Sequence, residues 1–252
     1  MERFGPSTYG DHVASVYDDW ESEFVVGEHQ LRFLRNLAGK GPAHELGIGT
    51  GRVALALLEK GVRVEGIEAS RAMLARLREK PHGRDLRVKV GNMARVDMGT
   101  RYPLVYVVFN TLFHLTRQDD QVRCFENAAR HLRRDGCFVL ETFYPDPAKF
   151  PRDQMVRVKK VEVDRVRVEF ATLDRLNQRV TSQSVVFQGK GVTLYPNQIR
   201  FAWPSEMDLM ARLAGLRLAG RYGGWDRRPF QADASSLYVS VYRRAAARDR
   251  RS

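Results

Sequence analysis

The chain has 252 residues, 43% of them hydrophobic, and its 42 lysines and arginines against 30 aspartates and glutamates give a net charge of +12. That length fits one sizeable domain, or a domain with an insertion, and the apolar content is enough for an ordinary core. No apolar run reaches the roughly 18 residues of a spanning helix, the N-terminal MERFGPSTYGDH lacks the apolar stretch of a signal peptide, and Cys124 and Cys137 stand without metal-ligand spacing, so a reduced, cytoplasmic protein with no metal and no membrane partner is expected.

Residues 1–40 read as a helical cap: a helix from Gly10 to Phe24 around SVYDDW, then one from Glu28 to Ala38 with Leu31, Leu34, Leu37 and Ala38 on one stripe. Strands and helices then alternate. Strands are expected at His44–Leu46, Val62–Ile67, Leu86–Val90, Leu104–Phe109 and Cys137–Thr142, with helices at Val53–Lys60, Arg71–Lys80 and Asp119–Arg133 between them. Near-continuous apolar strands such as LVYVVF belong in a mostly parallel sheet covered on both faces. The pattern is a doubly wound, Rossmann-like α/β fold, whose ligands sit beyond the carboxyl ends of the strands.

The alternation breaks at about Pro145. From there to Arg200 the chain shows period 2, in the segments VRVKKVEV, RVRVEF, RVTSQSVVF and QIRFAW, as antiparallel strands with one apolar and one basic or polar face do. A helix is expected at Pro204–Ala214, with Met207, Met210 and Leu213 on one face, then strands at Leu216–Tyr222 and Leu237–Tyr242. The layout implies a seven-stranded core over 41–144 and 201–243, an antiparallel insertion over 145–200 acting as a substrate lid, and a disordered basic tail over 244–252. The last ten residues, RRAAARDRRS, hold five arginines and one aspartate, a net of +4 that leaves +8 on the body.

The most informative stretch is AHELGIGTGR, Ala43 to Arg52. Glycines at a strand-to-helix turn let backbone approach a ligand closely, and Glu68 at the tip of the next strand can accept two hydrogen bonds from a ribose diol. A dinucleotide fingerprint puts its third glycine five residues after the first. Here Gly47, Gly49 and Gly51 alternate, Arg52 holds the fifth-offset position, and Glu45 precedes the loop, where an acid would repel a pyrophosphate. This spacing disfavours a nicotinamide oxidoreductase.

The pattern E-x-G-x-G-x-G resembles motif I of the class I S-adenosylmethionine-dependent methyltransferases. The order of elements is similar to theirs from there on. An insertion after the fifth strand resembles the glycine N-methyltransferases, the deoxysugar N,N-dimethyltransferases and the small-molecule methyltransferases of natural-product pathways. The resemblance implies S-adenosyl-L-methionine as cofactor, with Gly47 and Gly49 against its methionine part and Glu45 facing the ammonium. Glu68 would hold the ribose hydroxyls, with Ile67 and Ala69 flanking the adenine. Asn92 stands where the family usually has aspartate, and its amide oxygen can still accept from the adenine amino group, while the backbone amide of Met93 donates to the ring. The carbonyl of Asn110 would meet the ammonium. Tyr17 resembles a tyrosine folded over the cofactor, the alternative being a helix tyrosine with a packed ring.

Methyl transfer from a sulfonium is an in-line displacement, and alignment alone accounts for roughly 7 to 11 kcal/mol of such a barrier. A base is needed only when the nucleophile arrives protonated. His114, in FNTLFHL just past the fourth strand, is the first candidate, its alternative being a histidine that only packs or caps a helix. Tyr144 is expected to line the substrate pocket, and Glu141 to be structural or bonded to loop amides. Tyr9, Trp203 and Trp225 read as core ahead of pocket. Arg157, Lys159, Arg165 and Arg167 alternate with valines, so they share a face; turned inward it implies an acidic acceptor, turned outward it is solvated. A small-molecule acceptor methylated at nitrogen follows from the similarity of layout, with carbon or oxygen of an indole or phenol as the alternative and RNA as a further one. Against nucleic acid, Asn110–Phe113 lacks the N/D/S-P-P-Y/F pattern, and no Pro-Cys pair or RNA-recognition module is present. A monomer or homodimer is expected.

Overall fold

The computed structural model describes residues 4–20, 26–232 and 237–245. The tail from 246 on lies outside these residues. So do 21–25, part of the first expected helix. What is described there is two short helices, α1 (Thr8–Val13) and α2 (Tyr17–Trp20), separated at residues 14–16 rather than one continuous rod. The second expected helix forms as read, α3 (Glu28–Ala38), burying Leu31, Phe33, Leu34 and Ala38.

The core is a seven-stranded sheet in the order β10-β11-β5-β4-β1-β2-β3, flanked by helices. Its strands are β1 (Ala43–Leu46), β2 (Val64–Glu68), β3 (Arg87–Val90), β4 (Tyr102–Val107), β5 (Leu132–Phe143), β10 (Leu216–Tyr222) and β11 (Leu237–Arg244). Four helices, α4 (Arg52–Glu59), α5 (Arg71–Glu79), α6 (Gln118–His131) and α7 (Pro204–Leu213), complete the layers. Pairings among β1 to β5 are parallel, while β11 runs antiparallel to both β5 and β10. All four residues of β1 are buried, as a strand covered on both faces requires. The sheet separates two apolar clusters, one holding Leu46, Val105, Val107, Phe125 and Phe138, the other Leu34, Leu57, Leu104, Tyr106 and Val139. Each such buried Leu, Val or Phe stabilises the fold by roughly 1.5–3 kcal/mol.

One junction differs from the expected boundaries. Helix α6 ends at His131 and β5 begins at once, pairing Leu132 with Tyr102, before the register jumps to Cys137 opposite Leu104. The slack falls opposite Pro103, which has no N–H to give the ladder.

The insertion is a four-stranded antiparallel sheet, β6 (Gln154–Val161), β7 (Arg165–Asp174), β8 (Arg179–Gln188) and β9 (Gly191–Arg200). Its last strand ends at Arg200, so Phe201–Trp203 of QIRFAW are not strand and lead into α7. The face with Val156, Val158, Phe170, Phe187, Val192 and Leu194 is exposed. The opposite face, with Met155, Arg157, Lys159, Glu169, Ala171 and Leu173, looks onto the core. The apolar face that period 2 reveals is thus the outer one, and the inward face is mixed.

Candidate active site

Strand order reverses at β1, between β2 and β4, which opens the crevice typical of such sheets. The loop after β1 fills it with backbone. Gly47 (φ 74°), Gly49 (φ 57°) and Gly51 (φ 81°) are all left-handed, and a Cβ on Gly47 would lie 2.4 Å from Thr111 Cγ2. Any other residue at position 47 would therefore be both strained and obstructed. Glu68, at the tip of β2, accepts from Gly49 N at 2.7 Å through Oε2 and from Ser70 N at 2.8 Å through Oε1. Burial raises its pKa against the pull of those amides. A carboxylate so held keeps lone pairs to offer a diol.

Gly47, Gly49, Glu68 and Thr111 line one cavity of about 960 Å³. One wall carries Gly47, Gly49, Ile67, Glu68, Ala69, Asn92, Met93 and Asn110, the residues that the sequence resemblance assigns to the cofactor. Two of them have their polar atoms engaged: Asn92 Oδ1 accepts from Ala94 N at 2.8 Å, and Asn110 Oδ1 from Phe143 N at 2.6 Å. The Asn110 carbonyl accepts from Phe113 N at 2.8 Å, so an ammonium there would share it with the turn Thr111–His114.

The cap closes this wall through polar latches. Ser70 Oγ donates to Asp11 at 2.6 Å, Thr50 Oγ1 donates to Asp18 at 2.7 Å, and Lys80 Nζ meets the same Asp18 at 2.9 Å. Gly10 is the contact point, since a Cβ there would come within 2.6 Å of Ser70 Cβ. The result seats Tyr9 and Tyr17 on the cavity, with their rings edge to face at 6.5 Å.

Across from the glycines, the turn Thr111–His114 places His114 on the cavity, its ring stacked on Tyr9 at 4.5 Å. Burial lowers its pKa to about 4, so the imidazole is neutral at neutral pH. Glu141, at the end of β5, accepts from Phe109 N at 2.9 Å and from Trp225 Nε1 at 2.6 Å. The insertion supplies Ala171, Leu173, Val180 and Ile199 together with Arg157, Lys159 and Glu169, and Phe201, just past its last strand, joins them on the cavity. Of the four basic residues expected on one face, Lys159 is paired with Glu169 at 2.8 Å, Arg165 with Glu162, and Arg167 lies over the Trp20 ring at 4.2 Å.

Two expected site residues lie elsewhere. Glu45 points beneath the glycine loop into the layer under the sheet, 3% exposed, accepting from Tyr106 Oη at 2.9 Å, and it does not line the cavity. Burial pushes its pKa up to about 8, against the pull of the Tyr106 hydrogen bond. Tyr144 follows Phe143 out of β5 and turns away, packing on Trp203, Phe230 and Tyr238 at 5.6 to 6.4 Å; Phe143 takes the cavity position instead. Strand alternation explains the swap, since neighbours on a strand point to opposite faces. Trp203 is core, as read, whereas Tyr9 and Trp225 line the cavity. No local pattern marks Tyr9 or Trp225, because the first reaches the site through Gly10 and Asp11 and the second through a β10–β11 loop that returns to Glu141.

Comparison with known proteins agrees with this geometry. Residues 43–136 match a methyltransferase domain family. Over 244 residues the chain is 30% identical to the cypemycin N-terminal methyltransferase of a Streptomyces species, covering 94% of this chain and 98% of that one. It superposes on the CcbJ methyltransferase of Streptomyces caelestis with a TM-score of 0.89 at 38% identity, over 96% of this chain and all of the other (100%). An S-adenosylmethionine-dependent methyltransferase of Clostridium acetobutylicum shares the fold at a TM-score of 0.77 and 12% identity, over 92% of this chain and 98% of that one.

Proposed function

The chain belongs to the class I S-adenosylmethionine-dependent methyltransferases, and from that premise we propose that it methylates a nitrogen atom of a small-molecule acceptor in secondary metabolism. The observation that carries this reading is the single cavity that joins the glycine loop and Glu68 to His114 and the inner face of the insertion. The cofactor site and the lid wall open onto the same space, so an acceptor held by the lid would reach the methyl group without leaving it. Nitrogen is favoured by the relative that matches almost end to end, whose name places its methylation at an N-terminus.

The residues present fit the cofactor: a bare backbone cradle at Gly47, a buried carboxylate at Glu68, and amide and backbone groups at Asn92 and Met93. S-adenosylmethionine would supply an activated methyl group for direct displacement. Glu68 would hold the ribose hydroxyls, Ile67 and Ala69 would flank the adenine with the Met93 amide donating to its ring, and Tyr9 and Tyr17 would exclude water over it. His114, neutral and stacked on Tyr9, offers a ring nitrogen as acceptor for the N–H of an amine, turning its lone pair toward the cavity. The same burial that keeps His114 neutral would favour the neutral form of an entering ammonium, whose proton would pass to solvent water as the acceptor enters. Arg157 would meet an acidic group on the acceptor, with the insertion as lid.

Incubation with methyl-labelled S-adenosylmethionine and a panel of amines, phenols, indoles and RNA tests the proposal. Label on amines is the expected result. Label on phenols or indoles alone would overturn nitrogen as the acceptor, and label on RNA alone would overturn the small molecule.

A further inference from the structure

Gly27, His29 and Gln30 open α3 and line the cavity beside Phe109, Glu141 and Trp225. Gln30 is 4% exposed, yet its Nε2 has no hydrogen-bond partner among the described residues. A buried amide donor without an acceptor is destabilising, and a native fold retains one where something else supplies the acceptor. The first amides of α3 add to the demand. They have no intrahelical acceptors, and the N-cap, Gly27, brings no side-chain hydrogen bond. Together these groups present several donors and the positive end of an eleven-residue helix to the same space.

We propose that the α3 N-terminus with Gln30 is a carboxylate subsite, and that it holds the α-carboxylate of the amino-acid tail of S-adenosylmethionine. The inference rests on the cofactor reading above and adds to it the group that anchors the tail. The shared cavity places the subsite correctly. Residues 39–42 join the end of α3 to the start of β1, and the first residues of α3 share the cavity with Gly47 and Gly49 of the loop that follows β1. Helix α3 packs on β4, and Phe33 packs edge-on to Trp225 at 5.4 Å. From the Asn92 end of the site at β3 to β4 are three strand steps, about 14 Å at ~4.8 Å each. That span suits an adenosine extended by an amino-acid chain. Glu141, the carboxylate on this wall, turns its two oxygens to Phe109 N and Trp225 Nε1 and leaves the Gln30 amide without an acceptor.

The test is calorimetric titration, without any acceptor, of wild type, Gln30→Leu and Gln30→Glu with S-adenosylmethionine and with its decarboxylated form, whose tail is a propylammonium. Loss of a hydrogen bond to a charged group predicts about 10- to 100-fold weaker binding of S-adenosylmethionine by Gln30→Leu. Binding of the decarboxylated form stays unchanged. Gln30→Glu should lose more with the first ligand and nothing with the second, which no general loss of fold would produce. Equal losses with both ligands, or no loss with either, would overturn the subsite while leaving the cofactor assignment standing. A loss seen only in acceptor affinity would overturn it too, by assigning the carboxylate to the acceptor. Failure of wild type to bind S-adenosylmethionine at all would instead overturn the cofactor reading, and the subsite with it.

Discussion

The cavity wall that follows β1, β2 and β3 is mostly backbone and short loops, whereas the wall supplied by β6 to β9 is side chain. On the first, position is set by left-handed glycines and by amides that hold Glu68. On the second, it depends on which face of each strand the fold turns inward. A backbone wall tolerates no substitution at its closest approach but is blind to what lies opposite, while a side-chain wall can be varied residue by residue. This division suits an enzyme with a fixed cofactor and a changeable acceptor.

The sharpest way to break the contrast is at Gly47. With φ at 74° and a Cβ placed 2.4 Å from Thr111 Cγ2, Gly47→Val should weaken cofactor binding by about 100-fold or more. A calorimetric affinity near wild type would show that the loop is not the cradle. Next, His114→Ala should lower kcat by about 10- to 100-fold and leave cofactor affinity unchanged. An unchanged kcat would return His114 to packing against Tyr9.

The third prediction concerns pH and the layer beneath the cradle. Glu45 has a folded pKa raised to about 8 from 4.5, so its contribution to stability is complete below about 4.5 and is lost as pH rises through 8. The titrations of His44 and His114, lowered to about 4, are common to wild type and a Glu45 variant and cancel between them. Between pH 6.5 and 8 the Glu45 contribution should therefore fall by at most about 1.4 kcal/mol per pH unit. Denaturant unfolding of Glu45→Gln against wild type should show that slope removed; parallel profiles would mean that Glu45 is ionised in the fold. The smallest effect is expected at Tyr144. Tyr144→Phe removes a hydroxyl from an aromatic cluster off the cavity, and activity should stay within about twofold of wild type. A tenfold loss would put Tyr144 back at the acceptor.

How much of this was legible in sequence follows the same division. The alternation of strands and helices, the glycine offsets and the acid at Glu68 are local features with fixed periods, and the structure places Gly47, Gly49, Glu68, Asn92 and Met93 on one wall. Glu45 lies two residues before that loop, on a strand whose alternate side chains face the layer below, so its place off the cavity, bonded to Tyr106, cannot be read from its spacing. Tyr144 misleads by one position, since Phe143 holds the inward face. The latch of Asp11 and Asp18 onto Ser70, Thr50 and Lys80 spans up to 62 residues of sequence and leaves no spacing to read. In the insertion, period 2 shows that two faces exist without showing which one turns inward.

The most direct measurement is a pair of calorimetric titrations of the intact chain, one with S-adenosylmethionine and one with NADH. Binding of the first in the micromolar range and none of the second is the expected result. Tight binding of NADH, with S-adenosylmethionine left unbound, would contradict it.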